Sequence, residues 1–500
     1  MPIIDVAVPV PLRQNFSYTC EQKLQPGVRV SVPFGRRQLI GVVTASYDDP
    51  VDDTESEVKL KAVTEVLDEQ PLFDATLQAL TQWLATYYHH PIGEVWATVM
   101  PTRLRKGGAL SDSVPALTLT DAGQAEAQTP TLRGKKQLEC IALLAQGPLA
   151  TEEIKTKFSN VVLKALEEKA LTTQTSIRLT EKQDWASFNL QQTPPTASTE
   201  QGVAIAAINQ QASHFVPFLL DGVTGSGKTE VYLQVIEPVL KQGRQVLILV
   251  PEIGLTPQTV GRFERRFGIN VGVLHSQMTD LARVKVWQQA RRGELGIIIG
   301  TRSAIFTPLK RPGMIIVDEE HDESFKQQDG LRYHARDLAV KRAHTENVPL
   351  ILGSATPSLE SLNNALNKRY THLTLSQRAG GASHTQLKVL DSRDQPLHAG
   401  IAQGLISIMR SHLQQGNQVL VFLNRRGFAP AVLCHHCGQT VDCKSCERPF
   451  TYHKSQGRLQ CHHCGASRRM PEQCSECHSL DLQTSGIGTE QLEQGLGQLF

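Results

Sequence analysis

The chain opens with short runs in which apolar and polar residues alternate, VRVSVPFG (Val28–Gly35) and LIGVVTASY (Leu39–Tyr47), punctuated by Pro and Gly. A period of two puts one face of a strand in a core and the other in water, so the spacing predicts a β-rich module over residues 1–105. The segment LFDATLQALTQWLATYYHH changes the period: its apolar residues recur three and four apart and predict a helix. Over residues 110–180, KKQLECIALLAQG, TEEIKTKFS and NVVLKALEEKALTTQ read as three short helices and SIRLT as a following strand, the order of a winged helix. Residues 181–197 include QQTPPTAS, polar and Pro-rich, and read as a linker. Beyond it, helical segments alternate with the β-branched runs QVLILV, GIIIG, MIIV and LILG, which predicts a parallel sheet wrapped by helices.

Length changes this picture only by scale: 500 residues exceed one core and suggest about three or four domains. Hydrophobic content of 40% and charged content of 20% are those of a globular chain. The net charge of +2 hides local basic clusters, RLRKGG (Arg103–Gly108), RGKK (Arg133–Lys136) and RFERRF (Arg262–Phe267), which permit nucleic acid as a partner without requiring it. MPIIDVAVPVPL has no basic segment before a long apolar run, and no stretch reaches the ~18 apolar residues of a membrane span. A cytoplasmic protein is expected.

GVTGSGKT (Gly222–Thr229) is a complete phosphate-binding loop between an apolar run and a helical pattern. Gly222, Gly225, Ser226 and Gly227 let backbone N–H groups close around phosphates, Lys228 reaches the β/γ-phosphates and the Thr229 hydroxyl suits Mg²⁺. DEEH (Asp318–His321) directly follows the run MIIV, so its acids stand at a strand's carboxyl end, where ligands bind in open α/β sheets. Asp318 is expected to hold Mg²⁺ and Glu319 to orient and deprotonate the attacking water, making ATP and Mg²⁺ the expected cofactors.

Eight of the ten cysteines form four C-x-x-C pairs within 44 residues: Cys434/Cys437, Cys443/Cys446, Cys461/Cys464 and Cys474/Cys477. Each pair offers two thiolates on one turn and a structural zinc takes four, so two closed Zn²⁺ sites are expected, with nested or sequential pairing equally open. The neighbouring histidines His435, His436, His462 and His463 are not needed. A segment of this size has little core of its own, and metal supplies the missing folding energy.

PEIGLTPQ, GTRSA and GSATPS each follow a strand-like run and, in this order, resemble superfamily 2 helicases. GVTGSGKTEVY, IGTRSAIFTP, DEEHD with YHARDLA, LGSATPSLE and FLNRRGFAP narrow this to a resemblance with the PriA family of replication-restart helicases, running from residue 1 to residue 500. The resemblance implies a multidomain α/β fold. Its parts are a β-rich DNA 3′-end-binding domain (1–105), a winged helix (110–180), a linker (181–197), a RecA-like ATP-binding lobe (198–375), the start of a second RecA-like lobe (376–433), a two-zinc insertion (434–480) and a resumed lobe (481–500). It also implies nested cysteines, with Cys434, Cys437, Cys474 and Cys477 on one zinc and Cys443, Cys446, Cys461 and Cys464 on the other.

By the same resemblance, Phe16, Gly35 and Lys61 line a pocket for a nascent strand's 3′ end, where the family commonly carries Asp at the position of Ser17. Arg302 belongs to a loop that contacts DNA. Phe325, Arg332, Tyr333 and His334 lie in FKQQDGLRYHARD, matching an aromatic-rich loop that senses single-stranded DNA, with Leu331 where a Trp is expected. Gln201 matches an adenine-side motif, although its position also suits a helix cap at Ser198 or Thr199.

The implied function is ATP-dependent 3′-to-5′ unwinding of forked or D-loop DNA, and primosome assembly with single-stranded-DNA-binding protein, PriB, DnaT and the replicative-helicase loader in the bacterial nucleoid. The alternative is a branched-DNA scaffold with an ATP-gated clamp and little turnover. A small-molecule kinase or transport ATPase is opposed by GTRSA, GSATPS and the cysteine pairs. An AGRAGR-type motif, from which the family's second lobe sends an Arg to the phosphates, does not occur in the sequence, so the chain is expected to be a fragment that hydrolyses ATP slowly.

Overall fold

The computed structural model describes all residues except 49–59, 111–112, 179–184, 379–385, 391–396, 399, 424–430, 435, 446–447, 454–455, 463 and 486–488. It divides into two compact units, Met1–Ser383 and His384–Phe500.

The first unit begins with five antiparallel strands, in spatial order Phe16–Thr19, Ile3–Ala7, Arg37–Tyr47, Arg29–Phe34 and Glu65–Val66. Their alternating inward residues Ile4, Val6, Val30, Val32 and Val43 form one core. The sheet closes on itself: Thr19 N–H donates to Lys61 O (3.0 Å) and Val63 N–H to Thr19 O (2.9 Å), which ties one edge strand to the chain leading into the other. Closure removes exposed strand edges. The predicted helix forms over Ala75–Tyr87, capped by the Asp74 carboxylate accepting from Leu77 N–H at 2.8 Å. Phe73, just before it, meets Trp287 of the motor edge-on at 5.5 Å, so this module and the motor share a core.

The winged-helix order is present: helices Lys135–Leu144, Thr151–Lys157 and Asn160–Glu168, then the strand Thr172–Arg178. The third helix ends earlier than its apolar pattern suggests, because Ala170 turns left-handed (φ 54°) and the three threonines that follow favour a strand. The strand Ser113–Leu119, hidden in the sequence by Pro115, pairs along the whole of Thr172–Arg178.

The motor sheet has seven parallel strands in the order Val271–Leu274, Ile297–Gly300, Gln245–Leu249, Pro312–Asp318, Leu350–Ser354, Pro217–Gly222 and Thr371–Leu375. Helices cover both faces, so the strands read as continuous apolar runs. All five residues of Gln245–Leu249 are buried. The order puts the carboxyl ends of Pro217–Gly222, Leu350–Ser354 and Pro312–Asp318 side by side, and with them the phosphate loop, GSATPS and DEEH.

In the second unit the helix Gln403–Gln414 buries Ile406 and Met409 against Ile401 and Leu492. The run VLVFL (Val419–Leu423) has no ladder partner among the described residues, and the rest of FLNRRGFAP, residues 424–430, lies outside them. Its alternation survives, with Val419, Val421 and Leu423 packed inward while Leu420 and Phe422 are exposed, but a strand needs a neighbour to bond. The cysteine-rich segment enters on Ala431–Cys434 and leaves on Leu482–Ser485, which pair antiparallel. Among the described residues no helix is long and apolar enough to cross a membrane.

Candidate functional site

The phosphate loop leaves the strand Pro217–Gly222 and turns into the helix Lys228–Lys241 through Gly225 (φ 82°) and Gly227 (φ 86°). Both values lie where only glycine is unstrained, and they turn the loop's N–H groups toward one cleft. The cleft measures about 500 Å³, the size of a nucleotide pocket, and is lined by Thr224–Glu230, Asp318 and Glu319. Lys228 Nζ rests 2.9 Å from Gly222 O and 3.6 Å from Glu319 Oε1.

Asp318 ends its strand half-buried, its Oδ1 accepting from the Tyr232 hydroxyl at 2.9 Å. Burial and the neighbouring Glu319 charge push its carboxyl above the ordinary range. Two adjacent carboxylates beside the Thr229 hydroxyl form an oxygen set with surplus negative charge, and this fits Mg²⁺, which supplies the missing counter-charge. Glu319 adopts φ 47°, a strained value for a non-glycine residue at the turn out of the strand.

The rest of DEEH faces GSATPS. His321 Nδ1 lies 2.7 Å from Ser354 Oγ and its Nε2 lies 3.3 Å from Thr356 Oγ1. Glu320 is fully buried and accepts from Ser358 N–H (2.7 Å), the hydroxyls of Ser358 and Ser361 (2.9 and 2.8 Å) and Arg336 (3.2 Å). Arg336 opens the helix that follows FKQQDGLRYH, so a satisfied ionic network joins that loop to the acids. Glu320 and Arg336 lie in DEEH and YHARDLA, where the sequence assigned roles only to their neighbours.

Gln201 sits in a capping box: Ser198 N–H donates to its Oε1 at 2.8 Å while Gln201 N–H donates to Ser198 Oγ at 3.3 Å. Its Nε2 also donates to Ser226 O at 2.8 Å. The cap that the sequence allowed is therefore formed, and the same side chain is tied to the phosphate loop.

The aromatic loop corrects an expectation. Phe325 and Tyr333 are 0% and 2% exposed, packed in the core that the motor shares with the N-terminal module, and a ring without an open face has nothing to offer a base. Leu331 is buried beside them, while Arg332 is exposed and His334 half-buried, its N–H donating to the Tyr88 hydroxyl at 3.1 Å. Arg302 clamps the same loop, donating to Ser324 O and Lys326 O at 2.9 and 3.0 Å.

In the barrel, Phe16 meets Phe34 edge-on at 5.0 Å, next to Gly35 (φ 60°) in the two-residue turn joining Phe34 to Arg37. Exposed Lys61 lies beside Thr19, so the strand Phe16–Thr19 touches both neighbourhoods. Ser17 brings no charge itself but donates to Asp5 Oδ1 at 2.8 Å, and Tyr47 donates to the same oxygen at 3.2 Å.

The thiols of Cys434, Cys437, Cys474 and Cys477 lie within 4.8 Å of one another, as do those of Cys443, Cys461 and Cys464, while Cys446 lies outside the described residues. These are the nested sets. Three pairs share one turn, in which Gly438, Gly465 and His478 are left-handed and donate to Cys434 O (2.8 Å), Cys461 O (2.9 Å) and Cys474 O (3.1 Å). Such turns aim two sulfurs at one point, and sets of converging thiolates suit zinc.

What the sequence reading left out is the far wall of the nucleotide cleft, formed by Gln192, Arg262, Arg265 and Arg266. RFERRF stands out in the sequence only as a basic cluster; its place beside the phosphate loop is a product of the fold.

Comparison with known proteins agrees with this geometry. Family models match the chain over residues 5–101 (3′ DNA-binding domain), 198–365 (DEAD/DEAH box helicase) and 443–469 (PriA DNA helicase Cys-rich region). The replication restart protein PriA of Haemophilus influenzae is 46% identical over all of this chain and 69% of its own length. That of Treponema pallidum is 33% identical over all of this chain and 65% of its own length. This chain thus spans about two thirds of these relatives. A solved structure of RecG bound to a three-way DNA junction aligns over 45% of this chain and 29% of its own, at 23% identity and a TM-score of 0.34, too distant to carry an argument. With a relative this similar along its full extent, the chain belongs to the PriA family.

Proposed function

We propose that this chain is the fork-recognising and ATP-binding part of a DNA helicase that restarts replication, unwinding 3′ to 5′ and initiating primosome assembly. The observation that carries the reading is the convergence, at the carboxyl ends of three adjacent strands of a parallel sheet, of a formed phosphate loop, the Asp318–Glu319 pair and GSATPS, in a unit that also holds a β-module matched by a 3′ DNA-binding family model. Gly222, Gly225, Ser226, Gly227 and Lys228 hold the phosphates, Thr229 and Asp318 the Mg²⁺, and Glu319 the attacking water. Phe16, Gly35 and Lys61 take the 3′ end, with Arg302, Arg332 and His334 along the DNA path. The nested cysteines hold two zincs, one of them with Cys446 as its fourth ligand. Branched DNA is the substrate, and single-stranded-DNA-binding protein, PriB, DnaT and the helicase loader are the protein partners suggested by family membership.

Binding of a labelled fork with a leading-strand 3′-hydroxyl, measured with and without Mg·ATP, tests the proposal. Tighter binding to this fork than to linear duplex is expected, with an affinity that shifts on adding Mg·ATP and a shift that Lys228→Ala abolishes, because two linked ligands alter each other's affinity. Equal binding to fork and duplex, indifferent to nucleotide, would overturn it.

A further inference from the structure

We infer that Arg262 and Arg265 form a clamp for the base of the bound nucleotide, a role that rests on the ATP reading above and extends it to the end of the ligand away from the phosphates. Both project from the helix Pro257–Phe267, three residues apart and therefore on one face, and both line the cleft with the phosphate loop. Their helix is fixed there by Arg266, whose guanidinium is buried and donates twice to the Glu230 carboxylate, at 3.0 and 2.6 Å. Glu230 stands in the first turn after the phosphate loop, so this pair sets the distance between loop and clamp.

Charge in the cleft is unevenly committed. Lys228 faces Asp318 and Glu319. The acid Glu230 is already satisfied by Arg266, and Arg262 and Arg265, both exposed, form no ion pair among the described residues.

The residue matching the adenine-side motif is committed elsewhere, with Gln201 bonded to Ser198 and Ser226. Planar guanidinium groups and the apolar Leu233 line the same cleft. A guanidinium stacks on an aromatic face without reading its edge, so the clamp takes a purine base and discriminates little between adenine and guanine.

Titration of the whole chain with Mg·ATP, Mg·GTP and inorganic tripolyphosphate, for the wild type and for Arg262→Ala, Arg265→Ala and Arg262→Lys, tests the clamp. We expect wild-type affinities for ATP and GTP to agree within about tenfold, and each Ala variant to lose about tenfold on ATP. Tripolyphosphate binding should change by no more than about twofold, and Lys should not rescue Arg262, since it keeps charge but not the plane. Equal losses on ATP and tripolyphosphate would move the arginines to the phosphates and overturn the clamp, as would unchanged ATP binding. A wild type that binds no nucleotide would remove the ATP reading itself, and the clamp with it.

Discussion

Tyr232 donates its hydroxyl hydrogen to Asp318 across 2.9 Å, joining the helix after the phosphate loop to the strand that carries the acids. Burial and Glu319 hold the Asp318 carboxyl above its ordinary range, so its ionised form opposes folding of the metal-free chain at neutral pH. Asp318→Asn should therefore raise the Tm in EDTA. The gain should shrink as pH falls through the raised Asp318 pKa, where the wild type becomes neutral too. Mg·ATP should stabilise the wild type and leave the variant unmoved, as read by calorimetry across pH.

Tyr232 is held in turn by Gly353. A Cβ at Gly353 would lie 1.7 Å from the Tyr232 oxygen, so Gly353→Ala must push the ring and its bond to Asp318 aside. We expect a loss of about 1–3 kcal/mol in urea unfolding. Part of it should return in the double variant with Tyr232→Phe, which removes the clashing oxygen; equal losses in both would locate the strain elsewhere.

Phe325 and Arg332 should separate stability from DNA contact. Phe325→Ala removes a fully buried ring and should cost about 3–5 kcal/mol of stability. Arg332 is exposed, and Arg332→Ala should leave the Tm unchanged while weakening single-strand binding. Preserved stability in Phe325→Ala with lost DNA binding would mean that the ring leaves the core to meet DNA.

Ser17 and Asp5 together present a hydroxyl beside a carboxylate. If Asp5 supplies the charge that Ser17 lacks, Asp5→Asn should reduce the preference for a 3′-hydroxyl over a 3′-phosphate primer end in competition binding. An unchanged preference would assign no part of 3′-end reading to Asp5.

Zinc analysis should return two metals per chain, falling to one in Cys437→Ser. Amide exchange should then rise across residues 431–485 while nucleotide binding by the first unit persists, since that unit has its own core. Loss of nucleotide binding on zinc removal would show that the two units depend on each other.

Local chemistry was the legible part of this chain. The phosphate loop, DEEH and the cysteine pairs act through spacing over a few residues, and spacing survives in a sequence. Burial did not read out, because it depends on which elements meet: FKQQDGLRYH looks like an aromatic surface, yet Phe325 and Tyr333 fill the core between two modules. Gln201 fitted two chemistries by its position, and of these the cap is visible in the fold. The arginines of RFERRF are some 35 residues from the phosphate loop in sequence and share its cleft in space. Val419–Phe422 keeps a strand's alternation of burial without a ladder partner among the described residues.

The pairing of Ala431–Cys434 with Leu482–Ser485 brings the two ends of the cysteine-rich segment to adjacent strands, about 5 Å apart. The segment is thus a cassette whose gateposts already touch. Cutting it out and joining the strands by an Asn-Gly turn would ask the surrounding chain to span no new distance. Lengthening or replacing it would be equally undemanding, so this is where the molecule can gain or shed a feature while its remaining architecture stands.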